Sequence, residues 1–446
     1  GAHRGPAREL PHRRGARPGD GRPLPGEHRA RRHQRDALLR YRGHDLLEHV
    51  LRGDVGNPRR RARRVTGEPP LKGLKVVELA RILAGPWAGQ TLADLGADVI
   101  KVESPAGDDT RRWGPPFVTR DTDVSASYFH ACNRGKRSIA VDFRTEEGQE
   151  TVRALVAEAD ILIENFKVGG LKKYGLDYES LSAVNPRLIY CSITGFGQDG
   201  PYAHRAGYDY IIQGMSGLMS VTGDPAGQPQ KVGVAVTDIF TGIYSVAAIL
   251  AALHQRDRTG RGQQIDMGLL DVACAITANQ AMNYLTTGIA PARIGNAHQN
   301  LTPYQVFDCA DGYIIIATGN DAQYRRLCRI LGVDEMAEHP DFLTNADRIA
   351  NREEMTRRLT EATLKRGKAE LLAACEAESV PAGPINDFAE VFADPQVEAR
   401  GVHAELDGVP TLRPPFRFSA ADIAMERPSP SLNEHGEEIR AELKAR

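Results

Sequence analysis

The stretch LKVVELARILAGPWAGQTLADLGADVIKVE, residues 74–103, carries the pattern that decides the fold. Two short apolar runs rich in β-branched residues, 74–80 and 97–103, flank a segment long enough for a helix. Continuous apolar runs of this kind are typical of parallel strands buried on both faces, and a helix between two of them forms a βαβ unit.

The same rhythm continues through the first half of the chain. Three more apolar runs, at 136–143, 160–166 and 188–197, alternate with amphipathic stretches such as 146–158. The pattern predicts an α/β fold, with a doubly wound, Rossmann-like parallel sheet covered by helices on both faces.

After residue 197 the pattern changes to glycine-rich turns and then to a long helix, predicted over about 238–255. Its inner face is predicted from its small and apolar side chains, Ile239, Tyr244, Ala247, Ala248 and Ala251. Further on, residues 303–319 read as a strand, a turn and a second strand, and helical runs at 321–331 and 352–376 complete a small α+β unit.

Composition excludes several classes of protein. The 446 residues are 41% apolar and 26% charged, with no run of 18 apolar residues, which predicts a globular chain without a membrane span. The six cysteines are far apart and form no CxxC pair, so they predict a reducing, cytoplasmic setting and no metal site.

Residues 1–70 differ sharply from the rest. They carry 18 Arg, no Lys and 8 acidic residues, a net charge of +10, whereas the remaining chain has 39 basic and 50 acidic residues, a net charge of −11. A basic segment can bind nucleic acid or a membrane, but this one has a single aromatic residue, Tyr41, and no long amphipathic stripe. We expect a disordered extension, with upstream translation from a misassigned start as one origin, and no nucleic-acid or membrane partner.

Two places could meet an anion such as a phosphate. Gly85 and Pro86 lie where the first strand leads into a helix, and Lys136 and Arg137 open a later strand. Free N–H groups at a helix start bind anions, although GxGxxG is absent and ordinary turn chemistry is the simpler explanation of the first place. A solvated strand end explains the second.

Arg111 and Trp113, in GDDTRRWGPPF (107–117), are candidates for a substrate pocket, because a guanidinium beside an aromatic ring suits a carboxylate ligand. A surface arginine beside a half-buried tryptophan is the alternative.

Asp238 is predicted in the first turn of the long helix. An acid there usually stabilises the helix dipole by about 0.3 to 1 kcal/mol. The same position would suit a nucleophile, because a helix start is expected to keep the carboxylate ionised and to offer N–H groups to an oxyanion. Spacing alone favours the capping role.

The chain from 71 to about 443 resembles the class III CoA-transferases. Nine collinear segments carry the resemblance: 71–103, GDDTRRWGPPF, NRGKRSIAVD, ENFKVGGLKKYGLDYESL, YCSITGFGQDGPYAHRAGYD, SGLMSVTG, TDIFTGIYSVAAILAAL, TGRGQQIDMGLLD and VPAGPIND. Within the family, GDDTRRWGPPF with RAGYD and GVAVTDIFTG looks most like the branch acting on succinyl-CoA and glutarate or similar dicarboxylates.

The resemblance implies that Asp238 is the nucleophile, forming first a mixed anhydride and then an aspartyl-CoA thioester. It implies CoA esters and small carboxylic acids as substrates, with no permanently bound cofactor. The positions expected to contact CoA are Arg81, Ile82, Leu83 and Ala84 at the adenine end, Asn165, Phe166, Lys173 and Tyr174 along the nucleotide, and Tyr208 and Asp209 near the thioester.

The resemblance also implies an architecture in which a large domain is built from both chain ends. Residues 71–265 and 395–446 would form it, 266–302 a linker, and 303–394 a smaller inserted domain with the return linker. Two such chains are expected to interlock as a homodimer.

Three other functions remain as alternatives. The α-methylacyl-CoA racemases share the fold, but they use a histidine where this chain has Tyr208, and a phenol is a poor base at neutral pH. A nucleotide-dependent oxidoreductase lacks its GxGxxG signature here. A non-catalytic CoA-binding or nucleic-acid-binding protein would not need the Asp238 segment.

Overall fold

The computed structural model describes residues 67–120 and 122–445. The extension predicted over 1–70 therefore lies outside the described residues, apart from its last four positions.

Eight strands lie between residues 75 and 268 of the described chain. They are β1 (Lys75–Glu78), β2 (Asp98–Glu103), β3 (Phe117–Arg120), β4 (Asp123–Ala126), β5 (Arg137–Ala140), β6 (Ile161–Glu164), β7 (Ile189–Thr194) and β8 (Gln263–Gly268). Strands β3 and β4 form a hairpin, and the other six form one parallel sheet in the order β5-β2-β1-β6-β7-β8. This confirms the predicted α/β fold with a parallel sheet. Its order reverses between β1 and β6, which makes that point the topological switch of a doubly wound sheet.

Nine helices accompany this part of the described chain. They are α1 (Ala84–Asp94), α2 (Ser127–His130), α3 (Glu146–Ala157), α4 (Tyr178–Val184), α5 (Asp209–Met215), α6 (Leu218–Val221), α7 (Val236–Thr259), α8 (Leu269–Ile276) and α9 (Ala278–Thr287). One core packs α1, α7 and α8 on one face of the sheet, and a second core packs α3 and α4 on the other. Helices α8 and α9 occupy much of the segment expected to be a linker, 266–302.

A smaller sheet with its own core follows. Strands β9 (Tyr304–Cys309), β10 (Gly312–Ala317) and β11 (Ala382–Gly383) pair antiparallel. The helices around it are α10 (Asp321–Leu331), α11 (Asp334–Ala337), α12 (Asn345–Ala350), α13 (Arg352–Thr363) and α14 (Lys368–Ala377). The helical run predicted over 352–376 is thus two helices, with Gly367 as the N-cap of the second.

The C-terminal segment returns to the large sheet. It contains α15 (Phe388–Phe392), α16 (Pro395–Ala399), the hairpin of β12 (His403–Leu406) and β13 (Val409–Leu412), and α17 (Gly436–Lys444). Arg137 at the start of β5 pairs with Glu438 and Glu442 of α17, with Nη1 to Oε1 distances of 3.0 and 2.8 Å. Residues from both ends of the described chain therefore build the same α/β body.

The inner face predicted for helix α7 is wrong. Its buried side includes Thr241, Gly242, Ser245 and Ile249, while Tyr244 is exposed. Gly242 is needed there, because an added Cβ would lie 2.8 Å from the carbonyl oxygen of Ala84 in α1. The prediction of small residues in close packing was right in kind, but it chose the face with Ala247, Ala248 and Ala251 instead of the face with Thr241, Gly242 and Ser245.

Helix α7 is also the one helix of the described chain that is long and apolar enough to cross a membrane, with a mean hydropathy of 1.8 over 18 residues. Of that window, 44% is buried inside the fold, and one such helix is weak evidence for a membrane span. The sequence prediction had considered only unbroken apolar runs, and Thr and Gly interrupt this one.

Candidate active site

A cleft of about 800 Å³ opens at the carboxyl ends of the parallel strands, beside the switch point between β1 and β6. Doubly wound sheets bind ligands at this place. Ten of the predicted site residues line the cleft: Arg81, Ile82, Leu83, Ala84, Asn165, Phe166, Lys173, Tyr174, Tyr208 and Asp238.

Arg81 and Asn165 join the two loops that flank the switch point. The Arg81 N–H donates to Asn165 Oδ1 at 2.9 Å, and Asn165 Nδ2 donates to the Arg81 carbonyl at 2.6 Å. The side-chain amide thus pairs with the backbone as a second strand would, which fixes the spacing between the loops.

Three aromatic rings form a cluster beside these loops. Phe143 packs edge-on against Phe166 and Tyr174, with centroid distances of 5.6 and 5.5 Å. The Arg81 guanidinium lies 5.2 Å from the Phe166 ring centroid, and Lys173 Nζ lies 4.8 Å from that of Tyr174. Rings and cations together suit a nucleobase and its phosphates.

The cleft carries more basic than acidic side chains, although Asp142, which also lines it, pairs with Arg144 at 2.7 Å. Five basic side chains line it: Arg81, Arg144, Lys167, Lys173 and Arg205. Sequence reasoning missed Arg144, Lys167 and Arg205. Arg144 and Lys167 each lie shortly after a parallel strand ends, and that position is a signal that could have identified them.

Asp238 lies in the first turn of α7 and is partly buried in the wall of the cleft. The nearby Asp209 does not line the cleft. Instead its Oδ1 accepts from the Thr237 N–H at 2.9 Å and the Thr237 hydroxyl at 2.6 Å, and its Oδ2 accepts from Gln213 Nε2 at 2.8 Å. Asp209 therefore anchors the start of α7. It was expected near the thioester, but it binds Thr237, the residue before Asp238, instead.

The expectation that the helix start keeps Asp238 ionised is wrong. Burial, together with the negative charge of Asp209, raises the pKa of Asp238 to about 7. In the described chain no hydrogen-bond donor or ion-pair partner reaches the Asp238 carboxylate, so the cost of desolvation outweighs the favourable helix dipole.

Arg111 does not face the cleft, which corrects the predicted substrate contact. Its Nη2 and Nε bind Glu103 at 2.7 and 2.8 Å, and its guanidinium stacks 3.7 Å from the Phe129 ring centroid. Residue spacing cannot reveal a partner eight positions earlier on β2, and this ion pair uses the fork that the prediction reserved for a carboxylate ligand.

Trp113 lies outside the cleft lining but close to it. It is 46% exposed and packs edge-on against Tyr128 at 5.3 Å between centroids. Burial, followed by the charge of Asp238, raises the pKa of Tyr128 to about 12. Trp113 therefore contacts Tyr128, whose pKa the charge of Asp238 affects.

Neither Lys136 nor Arg137 is available to a phosphate. Lys136 is fully buried, and its Nζ lies 2.8 Å from Glu78 Oε2 and donates to the carbonyl of Pro86 at 2.9 Å. Arg137 pairs with Asp98 at 2.6 Å in addition to the two acids of α17. Both side chains hold elements of the fold together.

In residues 67–120 and 122–445 there is no group of three or more His, Cys, Asp or Glu side chains placed to hold a metal ion.

The family model for CoA-transferase family III matches residues 71–436, and the chain belongs to that family. It is thus an enzyme of the CoA-transferase class, as the nine collinear segments predicted.

Relatives and solved structures agree with this assignment. A succinate–glutarate CoA-transferase of Agrobacterium fabrum (strain C58) is 59% identical over 384 residues, covering 84% of this chain and 96% of that protein. A succinyl-CoA:glutarate CoA-transferase of Mus musculus is 42% identical over 380 residues, covering 84% and 86%. The crystal structure of a CAIB/BAIF family protein from Brucella suis matches with a TM-score of 0.78 at 63% identity, over 84% of this chain and 100% of that one.

Proposed function

We propose that the protein moves CoA from succinyl-CoA, or a similar acyl-CoA donor, to a dicarboxylic acid such as glutarate. The observation that carries the proposal is Asp238, a carboxylate without a cation partner among the described residues, at a helix start in the wall of a basic cleft. The similarity to two glutarate CoA-transferases supports the choice of acids.

The cleft suits the CoA moiety by charge and shape. CoA carries three phosphate groups, and five basic side chains line the cleft beside the cluster of Phe143, Phe166 and Tyr174. Cations favour the phosphates and the rings offer a stacking surface to the adenine. In this arrangement the thioester end of the ligand extends toward Tyr208 and Asp238.

The first half of the reaction loads the enzyme. The Asp238 carboxylate attacks the donor thioester carbonyl, so that a C–O bond forms, the C–S bond breaks and CoA leaves as a thiolate. The thiolate then attacks the aspartyl carbonyl of the mixed anhydride. This step forms an aspartyl-CoA thioester and releases the donor acid as a carboxylate.

The second half repeats these steps in reverse. The acceptor carboxylate attacks the aspartyl-CoA carbonyl and releases the thiolate, which attacks the acceptor side of the new anhydride. The products are the acceptor CoA ester and the free Asp238 carboxylate. Each broken acyl bond is replaced by another of comparable energy, so neither water nor ATP is consumed.

The surroundings of Asp238 favour this role. A carboxylate that accepts several hydrogen bonds or pairs with a lysine is stabilised in its ionised form and is a weaker nucleophile. Asp238 lacks such partners in the described chain, and its raised pKa, about 7, reflects that lack. The ionised form, once desolvated by a bound thioester, is correspondingly reactive.

We also propose that the protein works as a homodimer. Helix α7 leaves a row of large apolar side chains exposed, with Phe240 at 42%, Ile243 and Tyr244 at 45% and Leu250 at 37%. Contiguous apolar surface of this kind marks interfaces. Leu250→Glu is expected to convert the dimer to monomer in light scattering, and an unchanged mass would contradict this assignment.

Six unpaired cysteines support a reducing, cytoplasmic setting.

A panel of acceptors tests the proposed reaction. Succinyl-CoA is incubated with glutarate, oxalate, formate, carnitine or itaconate, and the CoA esters are measured by mass spectrometry. We expect glutaryl-CoA as the main product. Absence of a new ester with every acid, or epimerisation of a 2-methylacyl-CoA without any acceptor, would overturn the proposal and favour the racemase alternative.

A further inference from the structure

We propose that Asp108 is a positioning residue for the CoA site, and that its buried carboxylate holds Ile82 in the left-handed backbone conformation that shapes the cleft loop 81–84. The inference rests on the proposed function, because it concerns how the enzyme binds the nucleotide of its CoA substrates.

Ile82 has an unusual backbone for its side chain. Its φ is 72°, in the left-handed region that β-branched residues avoid. The other described non-glycine residues with positive φ are Ala278, Ser379, Asp407 and Asn433, none of them β-branched. Such a conformation is strained and persists only where the surroundings hold it, most often at ligand sites.

Asp108 supplies the contact that holds it. The Ile82 N–H lies 3.4 Å from Asp108 Oδ1 and 3.3 Å from Oδ2, so the carboxylate accepts from it at both oxygens. Asp108 cannot follow a moving loop, because Lys101 Nζ lies 3.0 Å from its Oδ2 and Thr110 donates to its Oδ1 from both N–H and hydroxyl, at 3.0 and 2.8 Å. The carboxylate is 1% exposed.

The two ends of the loop are fixed separately. Lys101 Nζ donates to the carbonyl of Ala80 at 3.0 Å, and Lys136 Nζ donates to that of Pro86 at 2.9 Å. Both lysines also bind Glu78. Asn165 also holds the backbone of Arg81 within the loop. The path from Arg81 to the start of α1 therefore depends on Ile82, whose N–H is the group that Asp108 binds.

A role in ligand binding follows from where Ile82 lies. It lines the cleft together with Arg81, Leu83 and Ala84, all expected at the adenine end of CoA. If Ile82 relaxed to negative φ, these neighbours would turn away from their present directions, although helix α1, which begins only at Ala84, could remain intact. Loss of Asp108 should therefore weaken CoA binding more than it changes the chemical step.

Glycine at position 82 provides the decisive comparison, because glycine adopts positive φ without strain. CoA itself is titrated calorimetrically into the full chain carrying no change, Asp108→Ala, Ile82→Gly, or both. We expect Asp108→Ala to weaken CoA binding by about five- to fifty-fold when residue 82 is Ile. Ile82→Gly also removes a side chain that lines the cleft and weakens binding by an amount of its own, so the comparison is made within the Ile82→Gly background. The double variant should return to within about threefold of Ile82→Gly alone. The KM for succinyl-CoA should follow the same order, with kcat little changed.

If Asp108→Ala weakens CoA binding as much in the Ile82→Gly background as in the unchanged chain, the inference is overturned and Asp108 keeps a purely structural role. If Asp108→Ala does not fold, the same cycle is run on Thr110→Val, which removes one donor to Asp108 and keeps its pairing with Lys101. Rescue by Ile82→Gly is again the supporting result, and its absence the contrary one. If the unchanged chain fails to bind CoA, the proposed function falls as well, so the two failures can be told apart.

Discussion

Asp108 is the N-cap of a short 3-10 helix (Asp109–Arg112), and Asp238 lies in the first turn of α7. Both carboxylates are largely shielded from water, and their surroundings act on them in opposite ways. Burial would raise the pKa of Asp108, but Lys101 and the Thr110 N–H outweigh it, and the pKa is lowered. At Asp238 burial is reinforced by Asp209, and the pKa rises to about 7. A buried carboxylate that pairs with a cation, as Asp108 does, holds the backbone in place. A carboxylate without such a partner, as at Asp238, remains available for chemistry.

The two carboxylates differ in how the cost of burying their charge is met. Moving a charge out of water costs several kcal/mol unless a partner compensates for it. Lys101 sits between Glu78 Oε1 and Asp108 Oδ2, each 3.0 Å away, and compensates both. No described residue compensates the charge of Asp238 in this way. Burial therefore makes its ionised form less favourable, and its pKa rises.

The largest effect is expected at Asp238. Asp238→Asn should lower kcat for CoA transfer by at least about 10⁴-fold, because the nucleophile is lost. CoA affinity should remain within a few fold, since binding depends on the basic and aromatic side chains. Stopped assays of glutaryl-CoA formation and calorimetry measure the two quantities.

Asp334→Asn is the matched control, because Asp334 also lies in the first turn of a helix but in the smaller α+β part. It should transfer CoA at the rate of the unchanged protein. Equal rates of CoA transfer in Asp238→Asn and Asp334→Asn would contradict the role of Asp238 as the nucleophile.

Lys101, which is fully buried, pairs with Glu78 and Asp108. Replacing it tests how much these ion pairs stabilise the fold. Lys101→Met should lower the free energy of unfolding by about 3 to 5 kcal/mol, because Glu78 and Asp108 lose a shared partner. Urea denaturation measures the change. The comparison is Lys72→Met, whose partner Glu68 is exposed, with an expected loss under about 1 kcal/mol. Similar losses in both variants would contradict the stabilising role of the buried lysine.

The influence of Asp209 on the nucleophile should be visible in the pH profile. Only the ionised form of Asp238 attacks the thioester, so kcat/KM should rise with pH and level off above about 7. Asp209→Asn removes the like charge and should move this rise to lower pH, by up to about one unit. The part of the pKa shift of Asp238 that remains in Asp209→Asn reflects the burial of Asp238. An unmoved profile would mean that Asp209 acts only on Thr237.

The smallest effect concerns stability. Because the folded pKa of Asp238 lies above its ordinary value, the folded state loses stability as pH rises from about 4 to about 7 and the carboxylate ionises. Asp238→Asn escapes this loss. Its melting temperature should exceed that of the unchanged protein by a few degrees at pH 8, and the gap should close near pH 4. A gap that grows toward low pH would show that the sign is wrong.

The sequence predicted the strands of the large sheet well, because runs such as 97–103 and 188–197 are rich in β-branched and other apolar residues. Such runs are typical of parallel strands buried on both faces. The cleft residues were predicted by the family resemblance, since composition and spacing left Asp238 as a helix cap. The strand order then explains why residues as far apart as Arg81 and Asn165 meet, since both follow strands at the switch point.

Other features depend on partners that are distant in the sequence. Arg111 was a candidate for the substrate pocket and Lys136 was left open between a phosphate contact and a solvated strand end, because nothing local indicates their ion pairs with Glu103 and Glu78. The inner face of α7 was wrong because periodicity shows which side chains lie together but not which face packs against α1. The pKa of Asp238 depends on burial and on Asp209, and neither can be read from spacing.

Trapping the covalent intermediate tests the role of Asp238 most directly. The enzyme turning over labelled succinyl-CoA and glutarate is quenched with hydroxylamine or borohydride, digested and examined by mass spectrometry, with Asp238→Asn treated in parallel. The peptide containing residue 238 should carry the hydroxamate or the reduced side chain, and the variant should carry neither. Rapid exchange with Asp238 unmodified, or with the label on another side chain, would contradict acylation of this carboxylate.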